Sequence, residues 1–338
     1  MKNKVLKLVK SWEFVLLLIL VLEFVVFGPM NNKFLQPVRI FSNITNYISI
    51  CIISLFVTMV MITGGIDIQA SSIVGLTSIT IGVLWNDFGF NIWAAVGVAI
   101  LLAALCGALS GFFVAYCGVQ PMVVTLGGSF LYSGLGLVIS RMSAIPAYQG
   151  ISGFPSKNDD GSFSSFRWLG NAKLFGGWKV PVQIVVFLIL VVVMYILLHR
   201  TKYGRSIFLI GVNPQAAEYS GVNTRLIKMS TYMLTGIGAA IAGILLTSQL
   251  NSSKYDLGST YTLSIIITAV VLGGTLSTGG KGSIIGTALA SLVICMLRLG
   301  LTLCFGISSQ NLDLPVGVML LLVVSGRQLI RIIRHLDN

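Results

Sequence analysis

Apolar residues run through this chain in long, nearly unbroken stretches, at about 12–28, 44–62, 71–85, 91–117, 121–140, 181–199, 228–250, 261–274, 283–304 and 313–325. A helix crossing a bilayer needs about 20 mostly apolar residues to pass a hydrocarbon layer of about 30 Å. Runs of this length and number predict an all-α integral membrane protein with about ten transmembrane helices. A membrane β-barrel would instead alternate apolar and polar residues over segments of about ten. Only 9% of the residues are charged and the mean hydropathy is +0.93, against about 25% charged in soluble domains, so an ordinary soluble fold is excluded. The 37 glycines follow no three-residue period and suit close helix packing in lipid, where small residues let backbones approach. Residues 1–338 read as one transmembrane domain. Its two large departures from apolarity are a loop over 141–180 and a polar segment over 200–227.

An even number of spans puts both termini on one side, and basic clusters mark the cytoplasmic side. Lys2, Lys4, Lys7 and Lys10 precede the first run; Arg200, Lys202, Arg205, Arg225 and Lys228 crowd one central segment; Arg327, Arg331 and Arg334 lie in the tail. The N- and C-termini are therefore expected in the cytoplasm, with 141–180 outside and 200–227 inside. The net charge of +12 then belongs to membrane orientation. No aromatic side chains interleave the basic clusters as a nucleic-acid groove would require, and no nucleic-acid partner is expected. The stretch from Trp12 to Gly28 exceeds the usual apolar region of a secretory signal and lacks a small-x-small cleavage site, so it is read as a retained first helix.

Chemistry-bearing patterns are sparse. His199 and His335 stand alone, and the five cysteines (Cys51, Cys106, Cys117, Cys295, Cys304) lie in or at the ends of apolar runs with no CxxC pair. No catalytic residue, metal site or cofactor is expected. The segment Gly273-Gly-Thr-Leu-Ser-Thr-Gly-Gly-Lys-Gly lacks the first glycine of a phosphate-binding loop, having Thr275 there, and has Gly282 where Ser or Thr must follow the lysine. It is read as a tight turn with close helix packing, and the chain as having no ATP site of its own.

Three features remain. Runs 71–85 and 261–274 are short and adjoin Gly64-Gly65 and Gly273-Gly274; they read either as broken helices beside a translocation path or as tilted ordinary spans. Asp67 interrupts an apolar stretch beside Gln69, which suits a functional acid at membrane depth or, preferably, a helix cap. Asp313 is likewise expected to cap the last span beside Pro315, and Glu23 and Arg298 to snorkel to an interface. The loop at 141–180, with Asp159-Asp160 and the aromatics Phe154, Phe163, Phe166, Trp168 and Trp178, reads as a docking surface or plug, or as a solvated insert. Within the central segment, Asn213 can cap a short helix opened by Pro214, carried by Ala216, Ala217 and Glu218, and ended by Gly221.

The segments Gly64-Gly-Ile-Asp-Ile, Val119-Gln-Pro-Met-Val-Val-Thr-Leu-Gly, Gly204-Arg-Ser-Ile-Phe-Leu-Ile-Gly-Val-Asn-Pro-Gln-Ala-Ala-Glu-Tyr-Ser-Gly and Val271-Leu-Gly-Gly-Thr to Gly-Ser-Ile-Ile-Gly resemble, in order and spacing, the permeases of ribose-type ABC sugar importers. Trp12-Glu-Phe through Phe27-Gly28, Tyr148-Gln-Gly-Ile-Ser-Gly-Phe-Pro and Asp256-Leu-Gly-Ser are most similar to the permease subunits of the autoinducer-2 import branch. The resemblance implies that Asn213 to Ser220 is a coupling helix, with Gly204, Arg205 and Gly221 in the same segment, docking into a separate cytoplasmic ABC ATPase (a dimer or tandem). It also implies a periplasmic substrate-binding protein and a second, different permease. Gly64, Gly65, Asp67, Gln69, Gly273 and Gly274 are the candidate translocation path. The cargo implied is autoinducer-2 or a related sugar-like ligand, with rhamnose, ribose or another monosaccharide as alternatives. An ion-coupled secondary transporter using Asp67 is the rival of another class. The chain departs from the family at Asp67-Ile-Gln-Ala-Ser-Ser and at Tyr132-Ser133-Gly134.

Overall fold

The computed structural model describes residues 12–141, 150–154, 165–174, 180–258, 263–308, 311–319, 321 and 325. The terminal basic clusters, Asp159-Asp160, Phe163 and Trp178 lie outside the described residues. In chain order the elements are α1 (Trp12–Met30), α2 (Pro37–Asn46), α3 (Ile48–Ile62), α4 (Ala70–Asn86), α5 (Ile92–Ala115), α6 (Pro121–Arg141), β1 (Ile151–Ser152), α7 (Ser165–Asn171), β2 (Lys173–Leu174), β3 (Val180–Pro181), α8 (Val182–Arg200), α9 (Lys202–Val212), α10 (Pro214–Tyr219), α11 (Thr224–Leu250), β4 (Ser252–Ser253), α12 (Leu263–Leu272) and α13 (Ile284–Phe305). A further helical segment covers 313–319.

Among the described residues six helices, α1, α5, α6, α8, α11 and α13, are long and apolar enough to cross a membrane, and α2 with α3 makes a seventh candidate bent by 55°. That is fewer than the ten expected. The 17 residues of α4 rise only about 25 Å, while the eighth and tenth runs are described only in part, over 263–274 and over 313–319, 321 and 325. The run expected at 44–62 starts earlier, at Pro37, because Pro-Val-Arg-Ile-Phe-Ser-Asn-Ile-Thr-Asn is helical but amphipathic, and the axis turns at Tyr47.

The core is built around α3 and α11. Every residue of α3 is buried, as expected of a helix apolar on all sides, and α11 packs against α3, α4, α5 and α7. The α5–α11 contact is close because glycines face it: a side chain at Gly107 would strike the Tyr232 carbonyl, and one at Gly236 the Ala103 carbonyl. Several buried hydroxyls are satisfied within the bundle, as helix packing in lipid favours. Ser54 and Thr58 donate to carbonyls one turn back, at 2.7 Å each. Thr58 meets Thr287 across α3–α13 at 2.9 Å, and Thr247 donates to Ser78 across α11–α4 at 2.7 Å. Such interhelical bonds contribute about 0.6 kcal/mol each.

The described parts of the 141–180 loop pack onto one end of the bundle. Strand β1 pairs antiparallel with β4, Ile151 opposite Ser253, and β2 pairs with β3. Phe154 and Phe166 are buried 5.5 Å apart, with Trp85 of α4 4.8 Å from Phe154.

Arg298 and Glu23 do not snorkel; both are buried. Arg298 Nη1 donates to Asp313 Oδ1 at 3.0 Å, and its guanidinium lies 4.9 Å from the Tyr47 ring centroid. The Asp313 carboxylate, expected as a cap, thus neutralises a buried cation on α13.

Candidate functional site

The segment between α8 and α11 is built from four consecutive caps. Thr201 opens α9, its Oγ1 accepting from Gly204 N at 3.1 Å. Asn213 closes α9 and opens α10, its Oδ1 accepting from Ala216 N at 3.0 Å with Pro214 at the first helical position. The end of α10 is a Schellman motif: Gly221 N donates to Glu218 O at 2.9 Å and Val222 N to Ala217 O at 3.1 Å. This requires a left-handed residue after the cap, supplied by Gly221 at φ +80°. Asn223 then opens α11, accepting from Leu226 N at 3.0 Å.

A six-residue helix is unstable alone, so the caps hold α10 in place, each contributing about 1 kcal/mol. Ala217, 2% exposed, seats it. Pro214, Ala216, Glu218, Tyr219 and Ser220 face outward, Tyr219 being 94% exposed. Arg205 is exposed on α9, while Gly204 is buried against the Leu198 backbone. Helix α9 is anchored by Ile207 and Ile210 and by a 2.7 Å bond between the Tyr203 and Ser230 hydroxyls. Burial raises the Tyr203 phenol above its ordinary range, opposed by the Ser230 bond. Glu218, Gly221 and Arg225, with Tyr116 from the end of α5, line an open cleft of about 550 Å³. The arrangement is a rigid knob with an aromatic tip, suited to being gripped by another protein.

Sequence reasoning missed α9. Its signal was the three-residue spacing of Gly204, Ile207 and Ile210, the helix's buried residues.

The second candidate group lies in two linkers. Gly64, Gly65, Asp67 and Gln69 connect α3 to α4, and Gly273 and Gly274 follow α12. Asp67 is 1% exposed and its Oδ1 accepts from Gln69 N at 3.1 Å, shaping the turn into α4. Gln69 Oε1 accepts from Ser110 Oγ at 2.6 Å; that hydroxyl lies 3.1 Å from the Tyr132 hydroxyl, which donates to Cys106 O at 2.8 Å. Thr125 donates to Ile66 O at 3.2 Å. Ser110 was not foreseen, its signal being polarity inside an apolar run; Tyr132 and Thr125 stood in segments that carry the family resemblance, with no role assigned. Gly273 lies against the backbone of Thr287, and the Trp12 ring covers Gly274 while its Nε1 donates to Leu272 O at 2.6 Å. Gly65, Asp67, Gln69 and Gly273 are all buried, so a route through them requires the linkers to move. The two linkers do meet: Gly64 faces the Thr278 carbonyl.

Comparison with known proteins places this geometry in context. Residues 39–324 match a family model described as branched-chain amino acid transport system / permease component. The autoinducer 2 import system permease protein LsrD of Yersinia enterocolitica is 40% identical over 326 residues, covering 96% of this chain and 94% of its own length. The proteins of the same name from Photorhabdus luminescens and Klebsiella pneumoniae are each 38% identical, covering 94% and 96% of this chain and 92% and 93% of their own lengths. No solved structure matches.

Proposed function

Since this chain belongs to the branched-chain amino acid transport system / permease component family, and is thus a multi-pass inner-membrane transport subunit, we propose that it carries autoinducer-2, or a closely related sugar-like ligand, across that membrane as one permease of an ABC importer. The cargo follows the names of relatives aligned over nearly their whole length. The observation that carries the mechanism is α10, a short, doubly capped helix projecting between α9 and α11 with Tyr219 and Glu218 outermost.

In this reading the ten apolar runs make ten crossings with both termini in the cytoplasm, and 200–227 faces a separate ATPase. The ATPase grips α10, a periplasmic binding protein delivers the ligand, and a second, non-identical permease completes the path. ATP binding and hydrolysis shift the spans between outward-open and inward-open states, which requires the ATPase to bind the two arrangements with different affinity. The buried, backbone-bonded state of Asp67 suits a structural turn better than an ion-coupling site.

Removal of this chain from its native cell should abolish uptake of autoinducer-2, and reconstitution with its ATPase and second permease should restore it only with ATP. Uptake that persists after removal, or that runs on an ion gradient without ATP, would reject the reading.

A further inference from the structure

The segment carrying α10 touches the rest of the bundle at a point where three backbones meet without side chains between them. Gly211, near the end of α9, sits so close to the last residue of α3 and to the turn after α12 that a side chain on it would collide with the Ile62 carbonyl oxygen and the Gly280 amide. Gly280 N donates to Ile62 O at 2.9 Å. A side chain on Gly279 would lie 2.8 Å from Ile62 O, 2.9 Å from Gly64 N and 3.2 Å from Gly211 O. Gly279 and Gly280 adopt φ of +87° and +78°, left-handed conformations that other residues rarely hold. The turn is closed by Gly279 N to Leu276 O at 3.1 Å and Leu276 N to Lys281 O at 3.0 Å.

Backbone packed directly on backbone has no rotamers to absorb a displacement, so movement on one side must be passed on or the contact must break. Resting on the reading of α10 as the coupling element, we propose that Gly211, Gly279 and Gly280 form a joint through which movement of α9–α10 reaches the end of α3 and the α12–α13 turn together. Two residues separate Gly211 from the Pro214 start of α10, so the knob and the joint move nearly as one piece. What the joint displaces is the pair of glycine-containing linkers after the buried α3 and after α12. The role of the three glycines is to position those linkers.

The test uses the whole importer, this chain with its ATPase and second permease in nanodiscs, and follows hydrogen exchange with and without ATP. Peptides covering 208–213, 276–282 and 60–66 are expected to change protection in concert. A change at 208–220 with none at 276–282 and 60–66 would overturn the joint and leave the importer reading standing; no response at 208–220 would overturn both. Independently, Gly211→Ala should lower uptake per ATP hydrolysed about tenfold while ATPase binding and turnover persist. Gly97→Ala, where nothing lies within 4 Å, serves as the packing control. Full coupling in Gly211→Ala would overturn the joint. If that variant does not accumulate in the membrane, the exchange measurement on the unaltered complex decides.

Discussion

A guanidinium inside a membrane bundle is tolerated only where its charge is answered. Arg298 is 6% exposed, and among the described residues its answers are Asp313 and the face of Tyr47. Removing the acid leaves a buried cation, whereas removing the cation leaves a carboxylate that is half in solvent, 49% exposed. Asp313→Ala should therefore destabilise the protein by about 1–3 kcal/mol, and Arg298→Met by less, measured as thermal unfolding in detergent. Equal losses would show that the pair is not the source. Asp67 poses the complementary case. Its Oδ1 receives the Gln69 amide, a bond that Asn can make and Ala cannot. Asp67→Asn should keep wild-type thermal stability and Asp67→Ala should lose about 1 kcal/mol; the reverse order would mean that the charge, and not the turn, holds the position. The expectation of a helix cap at Asp67 is corrected: the cap position of α4 is Gln69, without a side-chain cap bond, and Asp67 sits two residues upstream in a local turn closed by the Gln69 amide. The Arg298–Asp313 pair was not readable: its partners lie on different helical segments, fifteen positions apart, and no helical period links them.

At the scale of elements, α10 depends on a few end contacts. Asn213→Ala removes the bond to Ala216 N, and Gly221→Pro removes the amide that bonds Glu218 O and forbids the +80° φ. Either change should fray a six-residue helix whose remaining anchor is Ala217. Both variants, together with Glu218→Lys, which alters only the outer surface, should leave the protein folded and inserted while uncoupling uptake from ATP hydrolysis. Uptake assays beside ATPase assays check this, and normal uptake in all three would reject α10 as the coupling helix. The boundaries of α10 were legible for the reason that makes it fragile: its stability is written in adjacent residues, Asn213-Pro214 at one end and Gly221 at the other. The bend between α2 and α3 was not legible. There a polar, amphipathic helix continues into a buried apolar one, and the change of direction is fixed by tertiary packing, including Asn43 Nδ2 donating to Cys295 O at 2.7 Å.

The whole molecule turns on which ends of the helices share a side. If all ten apolar runs cross, the α8–α11 segment, the α5–α6 connection around Cys117 and the glycine joint lie together on the cytoplasmic face, with the α4–α5 connection and the 141–180 cap opposite. The described contacts suit this clustering: Tyr116, at the end of α5, and Glu218 line one cleft, while Trp85, at the other end of α4, packs on Phe154 of the cap. Helix lengths alone do not supply this information, because the 17 residues of α4 are too few to count as a crossing by themselves. Thiol labelling separates the two faces. In a background carrying Cys117→Ser, with the remaining native cysteines buried or half-buried, Tyr219→Cys should resist a membrane-impermeant maleimide in right-side-out vesicles and react in inverted ones. Phe88→Cys, at an exposed position after α4, should do the opposite. Both sites labelled from the same side would break the ten-crossing topology, and with it the placement of α10 beneath an ATPase.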